Sequence, residues 1–359
     1  MKKILEFLYR MNNECEITDE LIIETYEEIL NIEEKEKSNI FISMLFTYLI
    51  LKRKEIDIII KMLNKSFEKD NFVPFQIDIP KKKTPVISIS GSGKKGIKTI
   101  NISTTASIIA TSLGANIIKP CSSSTSSLTG SFDLLEMLGI NTDLTIEDTK
   151  KLLDKTGFGL FAIEKLIPSF DRVYGGVFYS PNILSYGLAA LMCPLKSDIV
   201  LYGLANKDIQ LPIEILKKYG ADRIRVVSGQ TTEIHYIDEL NIIGTSKILD
   251  SKEKVVKEYN FGEVLNLPKY TENDIKQMEN KIDNVKIIVD ILTGKRDDAY
   301  VDLVCLNAGN ILELSGLANT IQEGYYISKE HVKSGKAINK LIEIIEASDG
   351  KIENLKMFL

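Results

Sequence analysis

The sequence has few cysteines and no long apolar run, and each absence narrows the classes of protein that fit it. Cys15, Cys121, Cys193 and Cys305 form no CxxC pair, so neither a zinc site nor a disulfide framework is indicated. No uninterrupted apolar stretch approaches the ~20 residues of a membrane-spanning helix. The opening residues turn acidic too soon for a secretory signal. We therefore predict a cytoplasmic protein without a membrane anchor.

The sequence also has no excess of basic residues. It contains 45 Lys and Arg against 50 Asp and Glu, for a formal net charge of −5. Nucleic-acid binding depends on clustered cations that release counterions, so this balance argues against a nucleic-acid partner. At 359 residues, the chain is long enough for two domains, since domains commonly have roughly 100–200 residues.

Glycine is absent from residues 1–70, where the apolar spacing is helical throughout. Thr18 is a candidate N-cap with acidic residues in the turn that follows. We predict a helical domain over residues 1–70, whose most apolar helix, residues 39–51, packs against a second subunit. Residues 71–84 contain two prolines and three adjacent lysines, a composition typical of a linker.

From residue 85 to residue 359 the sequence pattern changes, and short β-rich runs alternate with helical segments. The runs are PVISIS, ANIIKP, GLFAI, DIVLYGL and RIRVVSG. Such alternation predicts parallel strands joined by crossover helices. We therefore predict an α/β domain with a mainly parallel central sheet flanked by helices, behind a small N-terminal helical domain. A helix predicted around residues 181–192 is a candidate to join the helical domain.

The stretch SGSGKKGIKTINIST, residues 90–104, is a glycine-rich loop that runs into small hydroxyl residues. Glycines let successive backbone N–H groups approach an anion, and a helix start adds the positive end of its dipole. Ser103 and Thr104 fit the start of that helix, as cap and as phosphate ligands. On pattern alone, phosphate binding and a plain tight turn both remain open.

Two blocks of this sequence resemble the anthranilate phosphoribosyltransferases. That family has GTGGDG-x-x-T-F-N-I-S-T followed by K-H-G-N-R-x-x-S-S-x-x-G-S-A-D-x-L-E-x-L-G. Here the same spacing reads GSGKKGIKTINIST and KPCSSSTSSLTGSFDLLEMLG. The segment from residue 301 to residue 344, with its L-N-A, E-G and S-G-x-A elements, is similar to the family's last helices.

The resemblance implies a helical dimerisation domain, a larger α/β domain and a homodimer. It also implies that the donor is phosphoribosyl pyrophosphate and that Mg²⁺ is the cofactor. Carried over by position, the residues implied to bind the diphosphate and ribose phosphate are Gly91, Ser92, Gly93, Lys94, Lys95, Thr99, Asn101, Ser103, Thr104, Lys119, Ser127 and Ser131. The serines around Ser127 could instead form a flexible polar loop.

The sequence departs from the family where the aromatic acceptor would bind. Pro120, Ser122 and Ser123 replace the family's His, Asn and Arg, and residues 173–187 contain no arginine to pair with the anthranilate carboxylate. These residues, with Tyr179, form the predicted acceptor pocket, although the tyrosines of this segment could equally belong to the core. We therefore expect an acceptor other than anthranilate.

The predicted metal ligands depart from the family as well. Lys94 and Lys95 replace a Gly-Asp pair, which exchanges a carboxylate for two cations. The family's later Asp-Glu pair corresponds to Thr232–Glu233 or, if the loop is longer, to Asp238–Glu239. We predict that Ser103 and Glu233 hold Mg²⁺, which commonly takes one or two carboxylates together with substrate phosphates.

Two functions fit these observations. The first is a phosphoribosyltransferase-like glycosyltransferase with an acceptor other than anthranilate, which is supported by the intact N-I-S-T, lysine and serine framework. The second is a non-catalytic protein that binds a phosphorylated metabolite or a protein partner on the same scaffold. The altered loop acid and the disturbed Asp-Glu pair favour the second function.

Overall fold

The fold is given by a computed structural model that describes residues 1–93, 96–122, 130–174, 182–253 and 255–359, apart from the side chains of residues 170 and 174. Four helices come first: α1 (Lys2–Asn12), α2 (Asp19–Leu30), α3 (Lys35–Lys52) and α4 (Ile56–Glu68). Thr18 caps α2 through its hydroxyl, which accepts a hydrogen bond from Leu21 N at 3.3 Å. The predicted helical start of the chain and its N-cap are therefore confirmed.

One sheet organises the rest of the described chain. Its strands are β1 (Val86–Gly91), β2 (Asn116–Cys121), β3 (Phe158–Ala162), β4 (Ile199–Gly203), β5 (Arg223–Gln230), β6 (Tyr236–Ile237), β7 (Thr245–Asp250) and β8 (Lys257–Tyr259). They lie in the order β3-β2-β1-β4-β5-β7-β8, with β6 also paired to β5. The first five strands are parallel, while β6, β7 and β8 are antiparallel. The predicted α/β fold with a mainly parallel sheet is confirmed.

Helices cover both faces of this sheet. After β1 the helices are α5 (Ile102–Ser112), α6 (Ser131–Met137), α7 (Ile146–Thr156), α8 (Ile163–Leu166), α9 (Pro168–Tyr174), α10 (Leu188–Leu191), α11 (Leu211–Lys218), α12 (Phe261–Val264), α13 (Glu272–Ile275), α14 (Lys281–Leu292), α15 (Ala299–Leu314), α16 (Ile321–Lys333), α17 (Ala337–Ala347) and α18 (Ile352–Lys356). In the described ranges, no helix is long and apolar enough to cross a membrane.

The two faces of the sheet belong to two apolar cores. Ile87 and Ile89 of β1 pack with α5, α14 and α15, whereas Val86 lies in the core that α1 to α4 build. Alternate residues of one strand point to opposite faces, so β1 separates the two cores. The N-terminal helices thus form a layer on one face of the sheet.

The helix predicted around residues 181–192 is wrong in length. Residue 181 lies outside the described residues, and the segment forms a 3₁₀ turn at Ile183–Tyr186 followed by the four-residue α10. Gly187 separates the two, and a Cβ there would lie 2.8 Å from Cγ2 of Ile215. The close approach of α11 requires glycine at a position where a continuous helix would carry a side chain. The segment nevertheless packs in the same core as the N-terminal helices.

A buried ionic network joins β5 and β7 to α15. Arg225 contacts the Asp250 carboxylate at 3.1 Å and the Asn310 amide oxygen at 3.0 Å, and it also pairs with Glu313. Although burial alone would raise it, the hydrogen bonds from Arg223 and the charge of Arg225 hold the pKa of Asp250 below its ordinary value. The network lies at the amino end of β5, at the opposite edge of the sheet from the glycine loop.

We expect Arg225→Met to lower the free energy of unfolding by about 3 kcal/mol, since removing one partner of a buried ion pair leaves the other charges uncompensated. Urea denaturation measures this change. Lys257→Met is the matched control, because the Lys257–Glu253 pair is half exposed and exposed pairs contribute less than about 1 kcal/mol. Equal losses in the two variants would contradict the assignment of a stabilising role to the buried network.

Candidate functional site

The glycine loop begins at the carboxyl edge of the parallel strands. β1 ends at Gly91, which lies beside Gly203 at the end of β4, and β2 ends at Cys121. In open α/β sheets ligands bind in the crevice outside this edge, where loops from neighbouring strands meet. The topology therefore brings the glycine loop and the end of β2, which carries Lys119, to the same edge of the sheet.

Backbone contacts hold the start of the loop against the neighbouring strand. Ser92 N donates to Gly203 O at 2.9 Å, and Ser92 Oγ accepts from Ala205 N at 3.0 Å. Gly93 has a φ of +64°, in the left-handed region that glycine adopts without steric cost. Its N–H donates to Asp238 Oδ2 at 2.9 Å. The loop is thus turned toward a buried carboxylate.

Glycine is also required at the preceding position. A Cβ on Gly91 would lie 2.3 Å from Asp238 Oδ2, well inside van der Waals contact. The absence of a side chain at this residue lets the Asp238 carboxylate approach the main chain of the loop. The glycine pattern therefore serves this close approach as well as the turn.

Lys119 meets the start of α5 beneath the loop. Its ammonium donates to Ser103 Oγ at 3.2 Å, and its side chain is 3% exposed. Asn101 is the N-cap residue of α5, whose first N–H groups carry the positive end of the helix dipole. A buried ammonium and a helix N-terminus at one point form a region of positive potential that suits an anion.

The remaining predicted loop residues are buried to different extents. Thr99 and Thr104 are buried, and Thr99 forms an antiparallel bridge with Lys276. Gln277 N donates to Lys98 O at 2.7 Å, which ties the far end of the loop to the segment after α13. Lys94 and Lys95 lie outside the described residues.

The two alternatives for the acidic metal ligands have different surroundings. Glu233 is exposed on the turn between β5 and β6, whereas Asp238 and Glu239 are buried and Asp238 contacts the glycine loop. The hairpin is long enough to place Asp238, not Glu233, beside the loop. The geometry therefore favours Asp238–Glu239 over the predicted Glu233 as the acidic component of a metal site.

A residue from the L-N-A element positions this acidic pair. Asn307 of α15 accepts a hydrogen bond from Leu240 N and donates one to Leu240 O, each at 3.0 Å. These two bonds fix the main chain directly after Glu239. Asn307 belongs to the L-N-A element that the sequence shares with the family, but only the fold shows that this residue contacts the segment after the acidic pair.

The β5–β6 hairpin, which contains His235, contacts the glycine loop at Gly96. The Nδ1 atom of His235 lies 3.1 Å from Glu272 Oε1, which also accepts from the Thr231 hydroxyl at 2.6 Å. Gly96 N donates to Tyr236 O at 2.8 Å, and a Cβ on Gly96 would lie 2.8 Å from His235 Cα. Sequence reasoning missed this contact, since it depends on how the hairpin folds back.

The second predicted block closes the site on the other side. Ser131 is the first residue of α6, and its Oγ accepts a weak hydrogen bond from Ser122 N at 3.4 Å. Phe132 N donates to Ser122 O at 3.1 Å. Ser122 and Ser131 are thus brought together at the end of β2, beside Pro120. Ser123, Ser127 and Tyr179 lie outside the described residues.

Cys121 lies in the middle of this region but is buried. Burial raises the pKa of its thiol to about 11. A thiol that is protonated at neutral pH is a poor nucleophile. Its environment therefore fits a small packing residue and not a nucleophile.

The donor set at the loop fits Mg²⁺ that is shared with a phosphorylated substrate. Among the described residues no group of three or more His, Cys, Asp and Glu side chains could hold a metal ion. Mg²⁺ is commonly bound by one or two carboxylates together with substrate phosphates and waters. Asp238 supplies such a carboxylate beside the glycine loop, and Ser103 supplies a hydroxyl that already accepts a hydrogen bond from Lys119.

Comparisons with known proteins agree with this architecture. Residues 83–338 match the model of the glycosyl transferase family, α/β domain. The anthranilate phosphoribosyltransferase of Bacillus cereus (strain B4264) is 30% identical over 272 residues, which are 74% of this chain and 77% of that protein. The enzyme of the same name from Pseudoalteromonas translucida is 31% identical over 263 residues, 72% of each chain.

Solved structures show the same fold. Anthranilate phosphoribosyltransferase from Thermus thermophilus superposes with a TM-score of 0.73 at 21% identity, covering 97% of this chain and 100% of that one. The Saccharomyces cerevisiae enzyme, solved in complex with PRPP and Mg, gives a TM-score of 0.75 at 17% identity and covers 97% and 98% of the two chains. The chain belongs to the anthranilate phosphoribosyltransferase family.

Proposed function

We propose that this protein transfers a phosphoribosyl group from phosphoribosyl pyrophosphate (PRPP) to a nitrogen acceptor other than anthranilate, with Mg²⁺ as cofactor. The contact between Lys119 and Ser103 under the Gly91–Gly93 loop carries the proposal. It joins a buried cation, a helix N-terminus and backbone amides at one edge of the sheet. Family membership supports the transferase class, and the Saccharomyces cerevisiae enzyme solved in complex with PRPP and Mg supports the use of PRPP with Mg²⁺.

The reaction requires little covalent help from the protein. The C1–O bond of the ribose breaks and pyrophosphate leaves with the bonding electrons. A nitrogen lone pair of the acceptor then forms the new C1–N bond, and its surplus proton passes to solvent. The protein holds the two partners in line and stabilises the negative charge that grows on the leaving group. Bound Mg²⁺ would add charge stabilisation at the diphosphate.

Each described group has a role in this scheme. Lys119 and the N-terminus of α5 attract phosphate oxygens, and Asp238 with Glu239 would hold the metal. Gly91 and Gly93 leave the loop backbone open to the donor, while Ser122 and Ser131 form the adjacent rim. Mg²⁺ removal with EDTA is the direct check on the metal.

We expect a different acceptor because the residues of the predicted acceptor pocket differ from those of the family. Pro120 and Ser122 stand where the family has His and Asn, and residues 173–187 offer no arginine for a carboxylate. A bidentate guanidinium is hard to replace for a planar carboxylate. Product formation with a panel of aromatic amines and nucleobases, followed by mass spectrometry, tests the activity. Binding of PRPP without any product from the panel would favour the non-catalytic binding function.

A homodimer is the second part of the proposal. α1 and α3 form an open groove of about 810 Å³ whose lining includes Met11, Met44 and Leu51, and Leu51 is 73% exposed. An exposed apolar groove of this kind commonly marks a protein interface. The groove lies on α3, the helix that we predicted from the sequence to contact a second subunit.

We expect light scattering to give twice the mass of one chain for the wild type and the mass of one chain for Leu51→Asp, because a buried carboxylate at the interface would be desolvated. Met357→Asp is the matched control, since Met357 is 75% exposed near the opposite end of the chain. A monomeric wild type, or a dimer in Leu51→Asp, would contradict dimerisation through this groove.

A further inference from the structure

A cavity of about 350 Å³ lies at the opposite edge of the sheet from the glycine loop. Its lining includes Arg225 at the amino end of β5, together with residues of β7, β8, α12, the end of α15 and the start of α16. Pockets for small molecules commonly have volumes of roughly 300–1,000 Å³. The cavity is therefore large enough for a compound with one ring, and it shares no residue with the donor site.

The most buried polar residues of the cavity are occupied with one another. Arg225 and Asp250 are 5% and 3% exposed. Arg225 Nε and Nη2 donate to Asp250 Oδ2 at 3.3 and 3.1 Å. Its Nη1 donates to Asn310 Oδ1 at 3.0 Å and also pairs with Glu313. The guanidinium thus has little capacity left to donate to a ligand.

Glu313, in contrast, has capacity left to accept hydrogen bonds. One of its oxygens pairs with Arg225 Nη1, while Oε1 lies 3.5 Å from Nη2, which is long for a hydrogen bond. The Glu313 side chain is 25% exposed, against 3% for Asp250. A carboxylate offers about four lone-pair positions. Glu313 can therefore accept N–H groups from a molecule in the cavity.

The remaining charged groups do not make the cavity a site for an anion. Lys257 pairs with Glu253. At the start of α16, Thr320 Oγ accepts from Glu323 N at 3.0 Å, and Glu323 Oε2 accepts from Asn319 N at 2.8 Å. This capping places a carboxylate at the positive end of the helix dipole. Three carboxylates and two cations line the cavity, so its charge favours a positively charged ligand.

An aromatic wall provides the apolar part of the cavity. The rings of Tyr259 and Phe261 stack, with centroids 5.1 Å apart and planes 20° apart, and both residues line the cavity. Ile248 adds a buried aliphatic side chain to the lining. Flat rings pack well against aromatic side chains, and aromatic faces attract cations.

We propose that this cavity binds a small organic cation that carries N–H donors on a flat apolar ring. The charged head donates to Glu313 Oε1, and the ring packs against Tyr259 and Phe261. Charge-assisted hydrogen bonds of this type are the stronger ones, whereas a carboxylate head would be repelled by Glu313. The site is separate from the donor site, so this inference does not depend on the proposed function.

Benzamidine, benzamide and benzoate test the charge requirement, because they share a ring and a planar head of similar size but differ in charge. Acetamidine has the charged head without the ring. Affinities for the full-length protein are measured by ligand-observed NMR titration at neutral pH and low salt. We expect benzamidine to bind at least about tenfold more tightly than each of the other three. Equal affinity for any of them, or no binding of benzamidine at millimolar concentration, would overturn the inference.

A cavity-filling variant tests the location. Val264 lines the cavity and is 39% exposed, so Val264→Trp fills space in the cavity without removing a member of the ionic network. We expect it to weaken benzamidine at least about tenfold and to leave the unfolding temperature unchanged. Ile282→Trp is the matched control, since Ile282 is 62% exposed on α14 and lies outside the cavity. Unchanged affinity in Val264→Trp would show that benzamidine binds elsewhere.

A charge-removing variant tests the carboxylate. Glu313→Gln keeps the size of the side chain and an acceptor oxygen, so we expect it to weaken benzamidine about tenfold and to leave the weaker binding of benzamide unchanged. Glu346→Gln makes the same change at an exposed residue of α17 and should alter neither affinity. An equal loss for benzamidine and benzamide in Glu313→Gln would contradict recognition of the positive charge by this residue.

Discussion

Lys119→Met is expected to weaken the binding of PRPP roughly 30- to 4,000-fold, which corresponds to the loss of about 2–5 kcal/mol when one partner of a buried charged hydrogen bond is removed. The physical reason is the position of the ammonium, which is almost fully buried and donates to Ser103 at the start of α5. In such a site the attraction to phosphate is screened far less than at the surface. Titration calorimetry with Mg²⁺ present gives the affinity.

Methionine keeps the apolar stem of the lysine, so the fold is expected to persist. Lys83→Met makes the same change in the exposed linker and is expected to bind PRPP like the wild type. Unchanged affinity in Lys119→Met would show that the donor does not bind at this lysine.

Asp238→Asn is expected to remove the dependence of PRPP binding on Mg²⁺, so that affinity with the metal falls to the level measured in EDTA. The amide oxygen of asparagine can still accept the hydrogen bond from Gly93 N, which Asp238 now accepts at 2.9 Å. The loop contact is therefore retained while the negative charge is lost. Mg²⁺ depends on that charge, since it prefers anionic oxygen ligands.

Glu233→Gln is the decisive comparison for the metal. Glu233 is exposed on the hairpin turn, so its replacement should leave the Mg²⁺ dependence intact. The reverse pattern, with Glu233→Gln losing the dependence and Asp238→Asn keeping it, would restore the assignment that the sequence alone suggested.

Much of the fold could be predicted from local patterns. The β-rich runs that correspond to β1 to β5 are short, apolar and bounded by turn residues, and these signals depend only on neighbours in sequence. A threonine followed by acidic residues predicts an N-cap at Thr145, and its hydroxyl accepts from Asp148 N at 3.1 Å. Helix capping and the alternation of strands and helices depend on residues that are close in sequence, so both can be predicted before the fold is known.

What escaped prediction depends on contacts between distant residues. The antiparallel strands β7 and β8 have no strong apolar run of their own: β7 pairs with β5, and β8 pairs with β7. The break at Gly187 reflects the approach of Ile215 from α11. The sheet order is likewise a tertiary property that no single segment encodes.

The candidate site divides in the same way. The glycine loop, Ser103 and Lys119 were identified because their spacing carries the pattern, and the fold brings Lys119 to Ser103. The choice between Glu233 and Asp238 depended on the length of a hairpin that sequence could not measure.

The most direct measurement of the central claim is a crystal structure of the protein soaked with PRPP and Mg²⁺. We predict phosphate oxygens within about 3 Å of Lys119 Nζ, the distance of a hydrogen bond, and a metal ion at the Asp238 carboxylate beside Gly93. PRPP bound elsewhere on the molecule, or a filled donor site with Lys119 and Asp238 both turned away from it, would contradict the account.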